Sequence, residues 1–117
     1  MSDKTLEKTL LYDFYGELLT DKQRAYFDLY YNEDLSLGEI AENAGITRQG
    51  VYDTLARAEA LLCEIERKTG AVARFSEMQA GIAQAEALTL EVERFCPEGE
   101  GKKALRALQS LLRQLKG

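Results

Sequence analysis

Two helix starts lie close together in the middle of the chain, and a glycine stands just before the second. Ser36 precedes L-G-E, so Glu39 stands three residues later, which is the spacing of a capping box. Thr47 is a second N-cap residue, and Gly45 suits the left-handed backbone that ends one helix and turns the chain sharply. Two helices in such close succession must cross at a steep angle. The segment Ser36–Leu62 therefore predicts a helix-turn-helix unit.

Apolar spacing inside this unit predicts which side chains face inward. Steps of three and four residues, typical of one helix face, relate the inward residues of the second helix, which we expect to end near Thr69. Ile46 is expected to plug the angle between the two helices. The predicted inward residues are Leu37, Ile40 and Ala41 on the first helix and Val51, Leu55, Ala58, Leu62 and Ile65 on the second.

The rest of the chain also predicts helices. Residues 4–18 show one apolar stripe, and Thr20 with Gln23 predicts a capping box that opens a second helix. The stripe consists of Leu6, Leu10, Phe14 and Leu18, with Leu11 filling in, and the next helix carries Ala25, Tyr26, Leu29 and Tyr30 on one side. Because strong helix formers dominate and alternating β-branched runs are missing, the predicted fold class is all-α.

Gly70 predicts a boundary between a helix-turn-helix domain (residues 1–70) and a helical tail (residues 71–117). The tail reads as a hairpin, since C-P-E-G-E-G at 96–101 stops one helix before another begins. Its first helix carries an apolar seam that needs a partner, either the first domain or a second copy, and on this basis we expect a homodimer. The seam is Phe75, Met78, Ile82, Ala85, Thr89, Val92 and Cys96, and the last helix carries Leu105, Leu108, Leu112 and Leu115.

Several function classes are not supported by the sequence. Histidine is absent, and no phosphate-binding glycine loop or nucleophile elbow occurs. We therefore expect no catalytic residues, no metal site, no cofactor and no enzyme activity. Cys63 and Cys96 are expected to be buried small apolar residues. Without a signal segment or an apolar stretch of membrane-spanning length, a cytoplasmic location without membrane insertion is expected.

Particular motifs resemble a known family. Four motifs carry the resemblance: T-x-K-Q-R at residues 20–24, the pair Tyr30–Tyr31, S-L-x-E-I-A-E at 36–42 and T-R-Q-x-V-Y-D at 47–53. They resemble the YlxM-type family of small bacterial helix-turn-helix proteins. The helix-turn-helix is similar to the region-four domain of primary sigma factors, and the resemblance is strong over about residues 3–70. Family members are typically encoded beside genes for the signal recognition particle GTPase and its receptor. The resemblance implies that the chain takes part in, or regulates, that pathway, with the GTPase or its RNA as expected partners.

The outer face of the second helix of the motif could contact DNA or a partner. Arg48 and Gln49 can read base edges, and Arg57 can meet phosphate. However, Ser36–Ala58 carries three acids and two bases, a net charge of −1, and Asp53 would face the groove. DNA binding, protein contact and a purely structural role therefore remain open. The candidate contact residues are Arg48, Gln49, Tyr52, Asp53, Ala56 and Arg57.

Positive charge is concentrated in the last helix instead. Residues 100–117 carry five bases against one acid, a net charge of +4. A basic amphipathic helix could contact RNA, DNA or an acidic protein, although Arg113 and Lys116 would also complement the dipole at the helix C-terminus. The candidate basic contacts are Lys102, Lys103, Arg106 and Arg113.

Overall fold

The computed structural model describes the backbone of residues 3–117 and the side chains from Leu6 onward; the first two residues of the predicted domain lie outside the described residues. The described chain is helical, and it contains no strand, which confirms the all-α prediction. A 3₁₀ turn (Gly16–Leu18) follows the first helix, and a π-helical turn (Asp28–Asn32) extends the second. The helices are α1 (Asp3–Tyr15), α2 (Asp21–Phe27), α3 (Leu37–Ala44), α4 (Arg48–Thr69), α5 (Ala71–Glu93) and α6 (Glu100–Lys116).

The chain forms two compact units, Met1–Val72 and Ala73–Gly117. The division lies two residues beyond Gly70, which ends α4 with a left-handed φ of 63°. At the end of the first unit, the Tyr15 hydroxyl donates to the Glu66 carboxylate at 2.6 Å, and the Val72 backbone N–H donates to the same oxygen at 3.0 Å. These bonds anchor the last residue of the first unit to α4.

The core of the first unit lies between α4 and the helices that precede it. Phe27, Ile40, Val51 and Ala58 have no exposed surface, and Leu62 is also fully buried. The ring of Tyr12 stacks on that of Phe27 with centroids 4.7 Å apart. The inward stripe predicted for α4 is confirmed, with Ile65 only half-buried at its far end.

Two sequence-based expectations for α1 and α2 are wrong. Leu6 and Leu18 are more than half exposed, while Leu11, Tyr15 and Leu19 are the buried residues. A repeat of four residues advances about 40° per step around an α-helix, so the predicted stripe drifts off the core face, and the 3₁₀ turn rotates the chain further. In α2, Ala25 is exposed. Phe27, two positions later, is fully buried, and the sequence pattern did not predict this.

Cys63 is exposed and Cys96 is half-buried, and both are free thiols. The expectation that both would be buried is therefore wrong. Cys63 follows the buried Leu62 by one residue, which is about 100° of helical rotation, so its side chain turns away from the core.

The second unit is a hairpin of α5 and α6. Gln109 Nε2 donates to a Glu93 carboxylate oxygen at 2.9 Å, and Lys116 Nζ lies 3.3 Å from Glu86 Oε1, so the two helices run antiparallel. Across residues 73–117, all of which are described, the buried side chains are Ile82, Thr89 and Leu112.

The predicted apolar seam of α5 is only partly buried. Met78 is 62% exposed and Val92 54% exposed, and α5 ends at Glu93 before the seam reaches Cys96. Turn-type hydrogen bonds close the helix end, because the ring of Pro97 disfavours a helical conformation at the residue before it. The seam is therefore not a continuous exposed stripe.

Candidate functional site

The turn between α3 and α4 has the predicted geometry. Gly45 ends α3 with a left-handed φ of 71°, and its N–H donates to the Ala41 carbonyl. The Thr47 hydroxyl accepts a hydrogen bond from Gly50 N at 3.0 Å, which caps α4. The capping boxes at Thr20–Gln23 and Ser36–Glu39 are also present, so each predicted helix start in this unit is confirmed.

Ile46 fills the turn less deeply than expected. It keeps 36% of its surface exposed, and a Cβ placed on Gly50 would lie 3.4 Å from its Cδ1. The side chain therefore folds over the first turn of α4 and is not buried in the angle between the helices.

The outer face of α4 is exposed over its whole predicted extent. A helix whose inward residues are Val51, Leu55 and Ala58 must turn the intervening positions outward. Each of the six candidate contact residues lies on this exposed side: Arg48, Gln49, Tyr52, Asp53, Ala56 and Arg57. We refer to these six residues as the outer face.

Polar groups on the outer face are partly paired with each other. Gln49 Nε2 donates to Asp53 Oδ1 at 2.9 Å, one helical turn apart. The Arg48 guanidinium lies against α3, because a Cβ added to Gly38 would be only 3.1 Å from Arg48 Nε. The hydrogen bond from Gln49 to Asp53 directs the Gln49 amide along the helix. The contact with α3 holds Arg48 beside the N-terminus of α4.

A network of polar side chains, missed by the sequence reasoning, adjoins the outer face. Glu59 on α4 accepts hydrogen bonds from Lys8 Nζ at 2.7 Å and from the Tyr31 hydroxyl. Lys8 also lies 5.9 Å from the centroid of the Tyr31 ring. This network links α1, the π-helical turn and α4, whose residues are far apart in sequence. Its only sequence signal was Tyr31 in the tyrosine pair.

Burial and hydrogen bonding change the proton affinities in this network. Burial, followed by the hydrogen bond to the Glu59 carboxylate, raises the pKa of Tyr31 to about 12. For Lys8, burial alone would lower the pKa, but the hydrogen bonds and charges of Glu59 and Tyr31 outweigh it and raise the pKa. Lys8 therefore remains a cation and Tyr31 a neutral donor throughout the physiological range.

A shallow cavity of about 330 Å³ separates this network from the outer face. Tyr52 and Ala56 of the outer face form one side of it, and Lys8 and Glu59 line the other. Tyr52 is 55% exposed, so it is not the packed edge residue that a purely structural role would require.

The candidate basic residues of α6 are engaged within the hairpin to different degrees. Lys102 Nζ lies 3.4 Å from the Cys96 carbonyl and 3.5 Å from the Glu93 carbonyl, and its side chain is only 15% exposed. It thus satisfies carbonyl groups at the end of α5. Lys103 and Arg106 are exposed and lie within 4 Å of glutamates, whereas exposed Arg113 has Nε 3.5 Å from its own helix's Gln109 carbonyl.

No group of three potential metal ligands occurs among the described side chains. Among these residues, no helix combines the length and the hydrophobicity of a membrane-spanning segment.

Comparison with known proteins agrees with this architecture. A family model described as "Putative helix-turn-helix protein, YlxM / p13 like" matches residues 2–93. UPF0122 proteins of Thermoanaerobacter sp. (strain X514) and Thermoanaerobacter pseudethanolicus are each 60% identical over 78 residues, which is 67% of this chain and 67% of each relative. A UPF0122 protein of Bacillus cereus (strain AH187) is 44% identical over 111 residues, covering 95% of this chain and 99% of the relative. The similarity thus extends beyond the motifs of residues 3–70 and into α5 and α6.

Proposed function

Because the chain belongs to the YlxM/p13-like family of helix-turn-helix proteins, we propose that it is a regulatory protein that binds duplex DNA with the outer face of α4. The observation that carries this proposal is the exposure of that face in a helix-turn-helix whose capping and turn geometry are complete. In proteins with this motif, the N-terminal residues of the second helix contact base edges in the major groove.

The chemistry of the outer face assigns roles to individual residues. Arg48 is suited to the acceptor edge of guanine and Gln49 to adenine, and both lie in the first turn of α4. The N-terminus of α4 also attracts a phosphate group through its unpaired N–H groups and its dipole. Arg57, about two and a half turns along the helix, would meet the DNA backbone.

The charge of the motif predicts weak, salt-sensitive binding. With Arg57 and the helix N-terminus as the main phosphate contacts, the slope of log K against log salt should be about −2 per copy. Asp53 opposes the phosphates, but its hydrogen bond to Gln49 restrains it. Specificity must therefore come mainly from Arg48 and Gln49.

To test the proposal, DNA duplexes that bind the protein are first selected from a random pool at low salt. The selected duplexes are then labelled, and their affinity for the protein is measured by fluorescence anisotropy. The double variant Arg48→Ala/Gln49→Ala should lose at least about tenfold in affinity, because bidentate base contacts contribute about 1–3 kcal/mol each. Arg67→Ala is the matched control, since Arg67 is exposed at the other end of α4 and pairs with Glu64 at 2.6 Å. Equal affinities of the wild type and the double variant would refute the proposal.

A second candidate is an interaction module of the signal recognition particle pathway that binds the GTPase or its RNA. The acidic balance of the motif, with Asp53 in the middle of the outer face, favours a basic protein surface over a nucleic acid. Titration of the purified GTPase and of its RNA, each alone, would distinguish these partners. Asp53→Lys should weaken binding to the GTPase but strengthen binding to DNA, so the same variant separates the two candidates.

Two further features belong to this proposal. Lys103, Arg106 and Arg113 are exposed on α6 and could add contacts to RNA or DNA, whereas Lys102 is held at the end of α5. We also place the protein in the cytoplasm, where both candidate partners would be found.

A further inference from the structure

The hairpin of α5 and α6 has two flanks of different character. One flank is polar, with a depression of about 270 Å³ lined by Glu86, Thr89, Leu90, Gln109 and Arg113. Thr89 and Leu112 are buried, and each further residue turns a helix by about 100°. By this geometry, the flank opposite the polar one carries aliphatic side chains from both helices. We call this the apolar flank, and it consists of Leu88, Val92, Leu108, Leu111 and Leu115.

Every residue of the apolar flank is substantially exposed. The exposed fractions are 55% for Leu88, 54% for Val92, 45% for Leu108, 55% for Leu111 and 65% for Leu115. The positions between them on this flank are alanines, namely Ala85, Ala104 and Ala107, and not charged residues. A contiguous, uncharged aliphatic surface of this kind on an otherwise charged helical hairpin marks an interaction site.

The second unit is also too small to form a conventional core alone. It spans residues 73–117 and buries only Ile82, Thr89 and Leu112. Units of roughly this size usually need a metal, disulfides or association to be stable. Its cysteine is a free thiol, and no metal-ligand cluster occurs among the described residues, so its exposed apolar side chains are left for packing against another protein surface.

We propose that the apolar flanks of two copies of this chain pack against each other and form a four-helix bundle. An uncharged aliphatic face needs an uncharged aliphatic partner, and the same flank of a second copy provides one through two-fold symmetry. With the five aliphatic side chains about half exposed, two flanks with their rims bury on the order of 1,000 Å², the smallest area expected of a specific interface. The homodimer expected from the sequence is thereby assigned to a surface that keeps Ala85 and Val92 of the predicted seam and adds Leu88 and residues of α6.

The polar flank argues against the alternative arrangement. Lys116 Nζ lies 3.3 Å from Glu86 Oε1, a buried atom that accepts no hydrogen bond from the described residues, and Gln109 hydrogen-bonds to Glu93, so charged and polar groups line that side. Burying them in an interface would remove their solvation without adding partners. The dimer therefore places the apolar flanks inside and the polar flanks in water.

The test compares two glutamate substitutions of equally exposed leucines. Leu111→Glu puts a charge in the apolar flank, and Leu90→Glu, the matched control, puts one on the polar flank, where Leu90 is 61% exposed. Sedimentation equilibrium of the full chain over a concentration series gives the dimer dissociation constant. We expect the wild type to dimerise, Leu111→Glu to weaken the dimer at least about 100-fold and Leu90→Glu to change it less than about threefold, because only the first charge is buried unpaired.

Far-UV circular dichroism checks that each variant keeps its helices, and Leu111→Gln provides a neutral replacement if the glutamate variant unfolds. A monomeric wild type, or equal effects of the two substitutions, would overturn the proposal. It stands independently of DNA binding, since sedimentation is measured without nucleic acid.

Discussion

Replacing Glu59 by glutamine should destabilise the first unit by about 2 kcal/mol. Glu59 accepts from Lys8 at 2.7 Å and from the Tyr31 hydroxyl, and the Lys8 and Glu59 side chains are only 21% and 24% exposed. Hydrogen bonds to a charged group contribute about 1.5–3 kcal/mol each, more than neutral ones. Glutamine keeps the size of the side chain and one carbonyl acceptor, so the main change is the loss of the negative charge beside Lys8. Partial exposure reduces the effect of that loss.

The same substitution at Glu64 is the matched control. Glu64 lies on the same helix and pairs with Arg67 at 2.6 Å, but the two side chains are 46% and 69% exposed. Exposed ion pairs contribute at most about 1 kcal/mol and often nothing measurable. Glu64→Gln should therefore leave the free energy of unfolding nearly unchanged. The difference between the two variants reflects the burial of Glu59 together with its additional hydrogen bond from Tyr31.

Urea denaturation followed by far-UV circular dichroism measures both free energies of unfolding. In thermal melts, the Glu59 variant should lose about 8–10 °C and the Glu64 variant less than about 3 °C, since a domain of this size shifts by about 4–5 °C per kcal/mol. A double-mutant cycle with Tyr31→Phe isolates the coupling between Glu59 and Tyr31, which should be at least about 0.5 kcal/mol. Equal losses at Glu59 and Glu64 would refute the reasoning, because they would mean that water screens both pairs alike.

The remaining predictions concern pH, backbone conformation and thiol reactivity. The pKa of Tyr31 is raised to about 12 in the folded chain, so its contribution to the free energy of unfolding is complete below its unfolded pKa near 10 and is lost as the pH rises through 12. Unfolding measured over this alkaline range should show a loss of about 1–2 kcal/mol, which allows for the partial exposure of the side chain. The variant Tyr31→Phe should not show this loss. Gly45→Ala should lower the free energy of unfolding by about 1–2 kcal/mol, because Gly45 has a φ of 71°. Gly81→Ala should raise it by about 0.5–1 kcal/mol, because Gly81 lies inside α5 with open space around it. Denaturant titration of both variants checks the two signs. Cys63 should react rapidly with a thiol reagent in the native protein and half-buried Cys96 more slowly, and a single slow phase would contradict that order.

Local signals in the sequence were sufficient for the helix-turn-helix. Ser36 with Glu39, Gly45 and Thr47 each act through hydrogen bonds or backbone angles within four residues of their own position. The inward stripe of α4 was equally accessible, because a long helix against a core repeats its burial every three or four residues. The exposure of the outer face then followed from helical geometry alone.

The network of Lys8, Tyr31 and Glu59 could not be predicted in the same way. Its members come from three elements and are 23 to 51 residues apart, so no local spacing relates them. The exposure of Leu6 and the burial of Phe27 likewise depended on which neighbours cover α1 and α2, and a short helix packed on two sides has no single repeat that reveals its inner face.

The sequence by itself determined where α2, α3 and α4 begin, where α3 and α4 end and which side of α4 faces inward, because capping, left-handed turns and a regular apolar period are properties of the local chain. Only the tertiary structure decided which of two leucine-bearing flanks of the α5–α6 hairpin lacks a partner. Leu90 and Leu111 are both leucines on amphipathic helices, yet one lies beside charged and polar groups and the other on an uncharged surface. That difference arises when two helices are brought together, since each helix covers one side of the other and leaves the remaining sides exposed.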